Sequence, residues 1–387
     1  MRDQIKHFPV NWIDGMKINK NRFIEQDNAS RAAIHDAASL VLSPIKFGLL
    51  PASAAGEDNY NIKISLDNQK TLRATINYLQ AVTSGGVRIV LPAIGTFTQV
   101  GTDGVPSTTY QFTSSNAEAV WWVVLIINPY EREPAGSPDT TENPPRFPFA
   151  LPVYKVEVIS DSQYRQYANH PYAFTIGKVY VNGNDIKVDE EYIPPCFTVS
   201  AHADLISLHS ELDHFLAGVE ARCAQIVQKI FKKSQQNDLS ELVQFLCDRV
   251  ILYLGQAITN LRCLLLHESP AQLFATISSL ARVMKNTIDL RIGSGKDELM
   301  NYLSEWCELK QGELETMLAE VANLRFDNND INKSIQKIIR FVKVTGKLFE
   351  TLSNLEFIGK RKESGIFVKE ETTPNPDQNK ARRRFFG

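Results

Sequence analysis

The residues around position 200 are the first in the chain whose types and spacing could support chemistry. His202, His209 and Asp213 recur at steps of seven and four, so a helix would place them on one face, with His214 close by. Imidazole and carboxylate groups are zinc ligands, and such a face could hold a metal. The spacing differs from the HExxH pattern, however, and the chain has no matching Cys or His group elsewhere. The sequence therefore predicts a solvated polar helix face and no metal.

Two other patterns resemble functional motifs only in part. Residues 293–296 read GSGK, but a phosphate-binding loop needs glycine where Leu290 stands and Ser or Thr where Asp297 stands. A turn between two helices is the prediction there. The carboxylates at 189–191 adjoin a hairpin pattern and look solvated, whereas acid–base catalysis needs two carboxylates in different environments. Because GxSxG and cysteine-nucleophile signatures are also missing, the sequence predicts no enzyme activity and no cofactor.

The composition is that of a globular protein of two or three domains. The chain has 387 residues, 43% of them hydrophobic, which is enough to bury a large core. Its net charge of -2 gives no argument for nucleic acid or membrane lipid as the main partner. Five cysteines without close pairing predict neither a disulfide framework nor a zinc cluster, and they favour a reducing compartment. The N-terminus lacks a signal-peptide core, and the apolar run at 119–127 is too short to span a bilayer, so a cytoplasmic location is expected.

The first 200 residues show the two-residue periodicity of β-strands. Residues 61–66 alternate apolar and polar side chains, as in a strand with one buried face. The run at 119–127 predicts a buried strand with Trp121 and Trp122 on opposite faces, one in the core and the other at an interface or, as is favoured, also in the core. Residues 182–183, Asn-Gly, predict a tight hairpin. The proline-rich stretch 128–149 is expected to be an exposed excursion without regular structure.

From about residue 200 the period changes to that of helices. Apolar residues recur at steps of three and four over a first long helix, which predicts a bundle or coiled-coil seam. Further helices are expected at about 239–267, 270–291, 296–325 and 329–355, in an antiparallel bundle. One bundle would not cover every such face, so the chain is expected to form a homotrimer through the seam. The seam residues are Leu205, Leu208, Leu212, Phe215 and Val219.

Both ends of the chain carry candidate partner-binding residues. Trp12, Met16 and Phe23 are costly to leave in water, since burial of each is worth about 1.5–3 kcal/mol, so they either fold back onto the domain or bind a partner. Gly15 permits a backbone turn between them. The last residues form a charged stretch that is either a disordered terminus or a short interaction element. Its candidate anchors are Arg382, Arg383, Arg384, Phe385 and Phe386.

Two segments of the sequence carry a family resemblance. Residues 10–27 read VNWIDGMKINKNRFIEQD, and residues 189–212 contain an Ile-Pro-Pro junction ahead of the first long helix. Together they resemble the TssK family, which supplies baseplate subunits of bacterial type VI secretion systems. The positions that match in the first segment are Trp12, Gly15, Met16, Ile18, Phe23 and Asp27. Those that match in the second are Ile193, Pro194, Pro195, Ala201 and Leu205.

The resemblance implies a β-sandwich shoulder similar to that of siphophage receptor-binding proteins, a helical neck, and assembly as a homotrimer. In that family the shoulder binds the TssF–TssG wedge of the baseplate, and a C-terminal head reaches the membrane complex. This chain departs from the family after the neck, where further helices and a basic tail stand in place of a clear mixed α/β head. A variant with a reduced head, of the kind found in Bacteroidetes, would suit this pattern.

The sequence thus predicts an α+β multidomain protein, with an N-terminal antiparallel β-sandwich at 1–200, an antiparallel helical bundle at 201–355, and a charged, disordered tail at 356–387. The predicted function is that of a non-enzymatic, homotrimeric baseplate adaptor that joins TssF and TssG to envelope proteins at the cytoplasmic face of the inner membrane. The alternative is a phage-tail receptor-binding or tail-fibre-adaptor protein. A third possibility is an enzyme whose site in the β-domain matches no known signature.

Overall fold

The computed structural model of the chain describes residues 6–52, 59–91, 105–113, 118–167 and 170–359. The chain divides into two units by its internal contacts. The first comprises Met1–Ala201 together with Asn328–Ile331, and the second comprises His202–Asp327 together with Asn332–Gly387. The β-strands of the described ranges all lie in the first unit, and the long helices after residue 202 build the second.

A helix precedes the strands of the first unit. Helix α1 spans Lys20–Ala38, and the side chain of Asn19 caps its start by accepting a hydrogen bond from the N–H of Arg22. Of its nineteen residues only Ala29 is buried. The helix therefore contributes little to the core of the unit.

The first sheet is built around one long strand. β3 (Thr71–Val82) pairs antiparallel with each of the other four strands of this sheet. Those four are β1 (Gly48–Leu49), β2 (Tyr60–Leu66), β4 (Arg88–Leu91) and β5 (Ser107–Gln111). The alternation predicted for residues 61–66 is present in β2, where exposed and half-buried side chains follow one another.

The second sheet is also antiparallel and has the strand order β7-β6-β8-β9. Its strands are β6 (Val120–Ala135), β7 (Phe149–Ser160), β8 (Ala173–Asn182) and β9 (Asp185–Val188). Helix α2 (Asp161–Tyr167) follows β7. The predicted hairpin joins β8 and β9, and Gly183 takes a left-handed φ of +58° at its turn. The prediction of an α+β fold with antiparallel sheets is confirmed.

The two sheets pack against each other inside the first unit. Gly177 on β8 lies so close to Ile64 on β2 that a Cβ there would come within 2.2 Å of the Ile64 side chain. Trp121 on β6 contacts Tyr110 and Phe112, with ring centroids 5.4 Å and 5.5 Å away. These contacts fill the space between the sheets with aromatic and branched side chains.

The neighbouring tryptophan faces the other side of the second sheet, as the strand period requires. The ring of Trp122 stacks on Tyr164 of α2 at 4.3 Å between centroids and meets Tyr192 edge-on at 6.3 Å. Both tryptophans are buried, so the core use that the sequence favoured is observed for Trp121 and Trp122 alike.

The expectation that residues 128–149 lack regular structure is wrong for the first eight of them and for Phe149, which begins β7. β6 continues through Ala135 and pairs with β7 on both sides of a register shift between Asn128 and Arg132. The shift accommodates Pro129, because a bulge tolerates a residue that cannot donate to the ladder. Residues 137–148, beyond the strand, are exposed as predicted.

One short segment late in the chain belongs to the first unit. Asn328 is buried, and its side chain donates to the carbonyl oxygen of Phe47 at 2.7 Å and accepts from the N–H of Cys196 at 3.4 Å. The hydroxyl of Tyr192 donates to the carbonyl oxygen of Asn329 at 2.7 Å. Residues 328–331 are thereby tied by hydrogen bonds to strands and loops that precede them by more than a hundred residues.

The second unit consists of helices, most of which are joined by short turns. They are α3 (Ala203–Lys232), α4 (Asp238–Cys263), α5 (Pro270–Asp289), α6 (Lys296–Cys307), α7 (Gln311–Ala322) and α8 (Ile331–Asn354). Within the described ranges, α4 alone is long and apolar enough to cross a membrane by length and composition. It packs against α3 and α5, as a core helix of a bundle does.

The helix expected at 296–325 is two helices. Glu308 takes a left-handed φ of +58° and ends α6, and the N–H of Lys310 then donates to the carboxylate of Glu313 at the start of α7. A left-handed residue interrupts the helical hydrogen-bond ladder. The apolar period of the sequence continues on both sides of this break, so the period alone predicted one helix.

The seam predicted as a trimer contact is buried inside a single chain. Leu205, Leu208, Leu212 and Val219 are fully buried, and Phe215 is buried at 9% exposure. They face α4 and α8, as shown by the ring contact of Phe215 with Phe341 at 6.5 Å. The expectation that this seam joins three copies is therefore wrong, because the chain's own helices cover the face and leave none of it for a second copy.

Candidate partner-binding surface

The N-terminal arm, residues 6–19, lies along helix α1. Val10 donates its backbone N–H to the side-chain oxygen of Gln26 at 3.1 Å. Two residues further on, the ring of Trp12 meets that of Phe23, with centroids 6.0 Å apart and planes tilted by 49°. Two of the predicted partner-binding residues thus form one aromatic pair.

A turn at Gly15 lets the arm enter the helix. The φ of Gly15 is +79°, a left-handed value that side chains with a Cβ adopt only with strain. The N–H of Met16 closes the turn on the carbonyl oxygen of Ile13 at 3.2 Å. The predicted role of Gly15 as a turn residue fits this geometry.

The aromatic pair is presented to solvent. Trp12 is 46% exposed, Phe23 59% and Ile18 64%, while Met16 is half-buried. The alternative that Trp12 packs into the core of its own domain is therefore wrong. The arm and α1 do not fold back deeply enough to cover these side chains, so they remain available to a partner.

Sequence reasoning missed most of this surface. Ten of the twenty large hydrophobic side chains that are exposed in the described residues lie between positions 6 and 46. The seven beyond Trp12, Ile18 and Phe23 are Phe8, Ile13, Ile24, Ile34, Leu40, Val41 and Ile45. The sequence could have indicated this surface, since the spacing of these residues follows no helical period. Apolar residues that do not share one helix face cannot all be buried by one domain.

Polar contacts hold α1 against strand β6. The guanidinium of Arg132 on β6 donates to Asp27 and, at 2.6 Å, to the side-chain oxygen of Asn28. Arg31 donates to the carbonyl oxygen of Pro129 at 3.4 Å. These contacts fix the helix at one side and leave its apolar side chains outside.

Aromatic contacts reinforce this attachment. The ring of Tyr130 stacks on His7 of the arm at 4.2 Å and meets His35 of α1 edge-on at 6.2 Å. Burial lowers the pKa of His35, and the positive charge of Arg31 lowers it further against the opposing effect of Asp36. His35 is therefore neutral at physiological pH and packs as an aromatic ring.

The histidines that suggested a metal face have structural roles. His202 is buried at the start of α3, where its Nδ1 accepts a hydrogen bond from the N–H of Asp204 at 3.1 Å. His209 contacts the carbonyl oxygen of Leu261, and Asp213 accepts from Arg262 at 2.7 Å. The face is thus engaged with α4 rather than solvated, and the described residues contain no cluster of three potential metal ligands.

The remaining sequence motifs also have structural explanations. Residues 293–296 form the predicted turn between α5 and α6, with left-handed φ values at Gly293 and Gly295. Asp189 is half-buried rather than solvated, and burial raises its pKa. The candidate anchors Arg382, Arg383, Arg384, Phe385 and Phe386 lie outside the described residues.

A protein-family model matches residues 139–285, from the tip of the β6–β7 hairpin to α5. Its description is "Bacterial Type VI secretion, VC_A0110, EvfL, ImpJ, VasE". This match confirms the resemblance to the TssK family. The match covers less than half of the chain, and it agrees with a type VI secretion component rather than with the phage-tail alternative. No curated protein matches the chain.

Solved TssK structures are similar to the chain at a low level. "Crystal structure of TssK" is 15% identical with a TM-score of 0.48, over 89% of this chain and 72% of that one. "Structure of TssK from T6SS EAEC in complex with nanobody nb18" is 14% identical with a TM-score of 0.44, over 84% of this chain and 99% of that one. The TssK-TssF-TssG baseplate subcomplex is 15% identical with a TM-score of 0.45, over 89% and 100%. Such values add nothing to the argument from the family match.

Proposed function

We propose that this chain is a non-enzymatic structural component of a type VI secretion baseplate. In this proposal a homotrimer links a TssF–TssG wedge to the membrane-anchoring complex at the cytoplasmic face of the inner membrane. The observation that carries the proposal is the match of residues 139–285 to the type VI secretion family. The choice of TssF and TssG as wedge partners follows from the resemblance of residues 10–27 and 189–212 to the TssK family.

The first unit is assigned the role of shoulder, which binds the wedge. Its support is the exposed aromatic pair of Trp12 and Phe23, flanked by Ile18, on a helix that contributes almost nothing to the core. Aromatic residues are enriched at the centres of protein interfaces, where they supply large contact areas with few rotatable bonds. A folded protein gains nothing from holding such side chains in water unless a partner covers them.

The second unit is assigned the role of neck. A helix of 30 residues such as α3 is about 45 Å long at 1.5 Å per residue, which is enough to hold two partners apart. Because the predicted seam is internal, contacts between copies are assigned to other faces of the bundle. The C-terminal end, with its three arginines and two phenylalanines, is proposed to face the envelope.

The test is a double substitution in the aromatic pair, Trp12→Ala with Phe23→Ala. We expect the affinity for the purified TssF–TssG wedge of the same cell to fall by at least about tenfold, because a central aromatic anchor contributes about 2 kcal/mol or more. The matched control is Phe231→Ala with Leu252→Ala, which also removes two exposed apolar side chains but from the second unit. Equal wedge affinities of the two double variants in biolayer interferometry would contradict the proposal.

A further inference from the structure

The outer face of α8 carries a row of basic side chains. Eight side chains of this helix are exposed; five of them are basic and one, Glu350, is acidic. The basic residues follow one another at steps of three or four, so they lie on one side of the helix, over about 21 Å at 1.5 Å per residue. This basic row consists of Lys333, Lys337, Arg340, Lys343 and Lys347.

Most of the basic row has no counter-charge in the described part of the chain. Lys347 forms an ion pair with the carboxylate of Glu308 at 2.9 Å, and no ion pair among the described residues involves the other four cations. Basic side chains three or four positions apart on a helix repel one another and weaken the helix. The row therefore destabilises α8 unless anionic groups lie opposite it.

A row of the opposite charge lies on α6. The exposed side chains of this helix are Asp297, Glu298, Asn301 and Glu305, and Glu308 at its C-terminal end continues the same side. Steps of three and four residues from Glu298 to Glu308 give this acidic row a length of about 15 Å. Glu308 is the one carboxylate of the row that has an ion-pair partner within the described ranges.

The two rows adjoin at one end without neutralising each other. The pair of Lys347 with Glu308 joins α8 to the end of α6, and the hydroxyl of Tyr302 on α6 accepts a hydrogen bond from the N–H of Gly359, beyond α8, at 3.0 Å. Among the residues that the structure describes, no second ion pair connects the rows. One copy of the chain thus presents two neighbouring faces of opposite charge and similar length.

We propose that the basic row of one copy of this chain binds the acidic row of the next copy. Such a contact joins two different faces, so it repeats from copy to copy and can close into a ring. Faces that adjoin along an edge suit a ring of few copies, because the shared edge then lies toward the symmetry axis. The inference rests on the proposed function, in which the chain is a homotrimer, and it assigns the contact between copies to α6 and α8.

Charge complementarity favours a second copy over another anionic partner. A second copy places cations opposite Asp297, Glu298 and Glu305 while it covers the basic row, whereas a separate anionic partner would cover α8 alone. Exposed ion pairs add little affinity one by one, so the rows determine which surface is chosen, in which register, and how fast the copies associate. Because salt screens exposed charges, the contact should weaken as the salt concentration rises.

The test reverses the charge of each row separately and then of both together. Lys337→Glu with Arg340→Glu places acidic groups opposite the acidic row, and Glu298→Lys with Glu305→Lys places basic groups opposite the basic row. We expect each double variant to raise the dissociation constant of the trimer by at least about tenfold, because like charges then face each other. The quadruple variant restores opposite charges and should assemble within about threefold of the wild-type constant. Mass photometry over a range of concentrations measures these constants.

The matched control is Lys63→Glu with Arg88→Glu, which reverses two exposed basic side chains of the first unit and should leave the dissociation constant unchanged. Thermal unfolding establishes that each variant is folded. A further measurement needs no variant: raising the salt concentration from about 0.05 M to about 0.5 M should raise the dissociation constant of the wild-type trimer. If the quadruple variant does not fold, this measurement decides, and a constant that is independent of salt overturns the proposal.

The outcomes separate this interface from the proposed function. A wild-type trimer whose dissociation constant neither double variant changes overturns the interface, while the homotrimer of the proposed function stands. Dissociation by both double variants without recovery in a folded quadruple variant overturns the pairing of the two rows with each other. A wild-type chain that is monomeric at micromolar concentration contradicts the proposed homotrimer and the interface together.

Discussion

Lys178 and Asp330 illustrate how single residues stabilise the first unit. Their side chains are 10% and 14% exposed and form an ion pair at 2.7 Å, with the ammonium 4.8 Å above the ring of Trp122. Burial alone would lower the pKa of Lys178, but the hydrogen bond and charge of Asp330 outweigh it and raise the pKa. Lys178 is therefore charged at neutral pH, and the stability from its raised pKa is lost only in the alkaline range, above the ordinary lysine value.

Asp330→Asn should destabilise the protein by about 3 kcal/mol, because it leaves the buried ammonium of Lys178 without its counter-charge. Replacing both partners, as in Lys178→Met with Asp330→Leu, should recover most of that loss. Urea unfolding at neutral pH measures both effects. The control is Lys187→Met, which removes an exposed ion pair with Asp185 and should cost less than about 1 kcal/mol. An Asp330→Asn protein as stable as this control would show that the buried pair contributes little.

At the scale of elements, helix α3 shows what an apolar period does and does not determine. The steps of three and four located the helix and its buried face, since the five seam residues are all buried. The period does not say what covers that face, because an intramolecular and an intermolecular partner require the same residues. Only the packing of α4 and α8 decides the question.

Leu212→Ala should therefore lower the free energy of unfolding by about 2–5 kcal/mol while leaving the oligomeric mass unchanged. Leu212 is fully buried inside one chain, so its truncation leaves a cavity there and removes no contact between copies. Ile206→Ala, on the same helix at an exposed position, should change stability by less than about 1 kcal/mol. If Leu212→Ala instead dissociates the assembly at a concentration where the chain stays folded, the seam does lie in the interface between copies.

Other elements show where local rules gave way to context. The break between α6 and α7 depends on a left-handed Glu308, a residue type with no preference for that conformation. β6 extends through Pro129 and Pro134 because β7 is long enough to pair beyond them. In both places contacts between residues distant in sequence determine the backbone conformation. Neither the hydrophobic period nor the propensity of single residues reveals such contacts.

For the molecule as a whole, the sequence indicated that partners bind at its two ends. Residue type alone selected Trp12 and Phe23, whose pairing the structure shows, but it did not find Leu40 or Val41, which belong to no pattern.

The tail provides a test at the scale of the whole assembly. Deleting residues 372–387 should abolish recruitment to the envelope fraction while trimer mass and wedge binding persist, since adjacent guanidiniums pair with carboxylates or phosphates on a partner. Deleting 372–379 alone keeps the arginines and phenylalanines and should have no effect. Light scattering and membrane co-sedimentation measure the outcomes. Unchanged recruitment after the longer deletion would assign the envelope contact to the helical bundle, and a monomeric mass for the intact chain would contradict the trimer.

The segment at 328–331 has a consequence for how the chain is made. A ribosome releases the protein from its N-terminus, so β1 to β9 emerge long before Asn328 does. The hydrogen bond from Asn328 to Phe47 joins residues 281 positions apart, and Lys178 lacks its ion-pair partner until Asp330 has been synthesised. Nascent chains should therefore hold a set of strands without their final side-chain partners while α3 to α7 are being synthesised. The first unit therefore begins to fold before the second and is completed only after Asn328 has been synthesised.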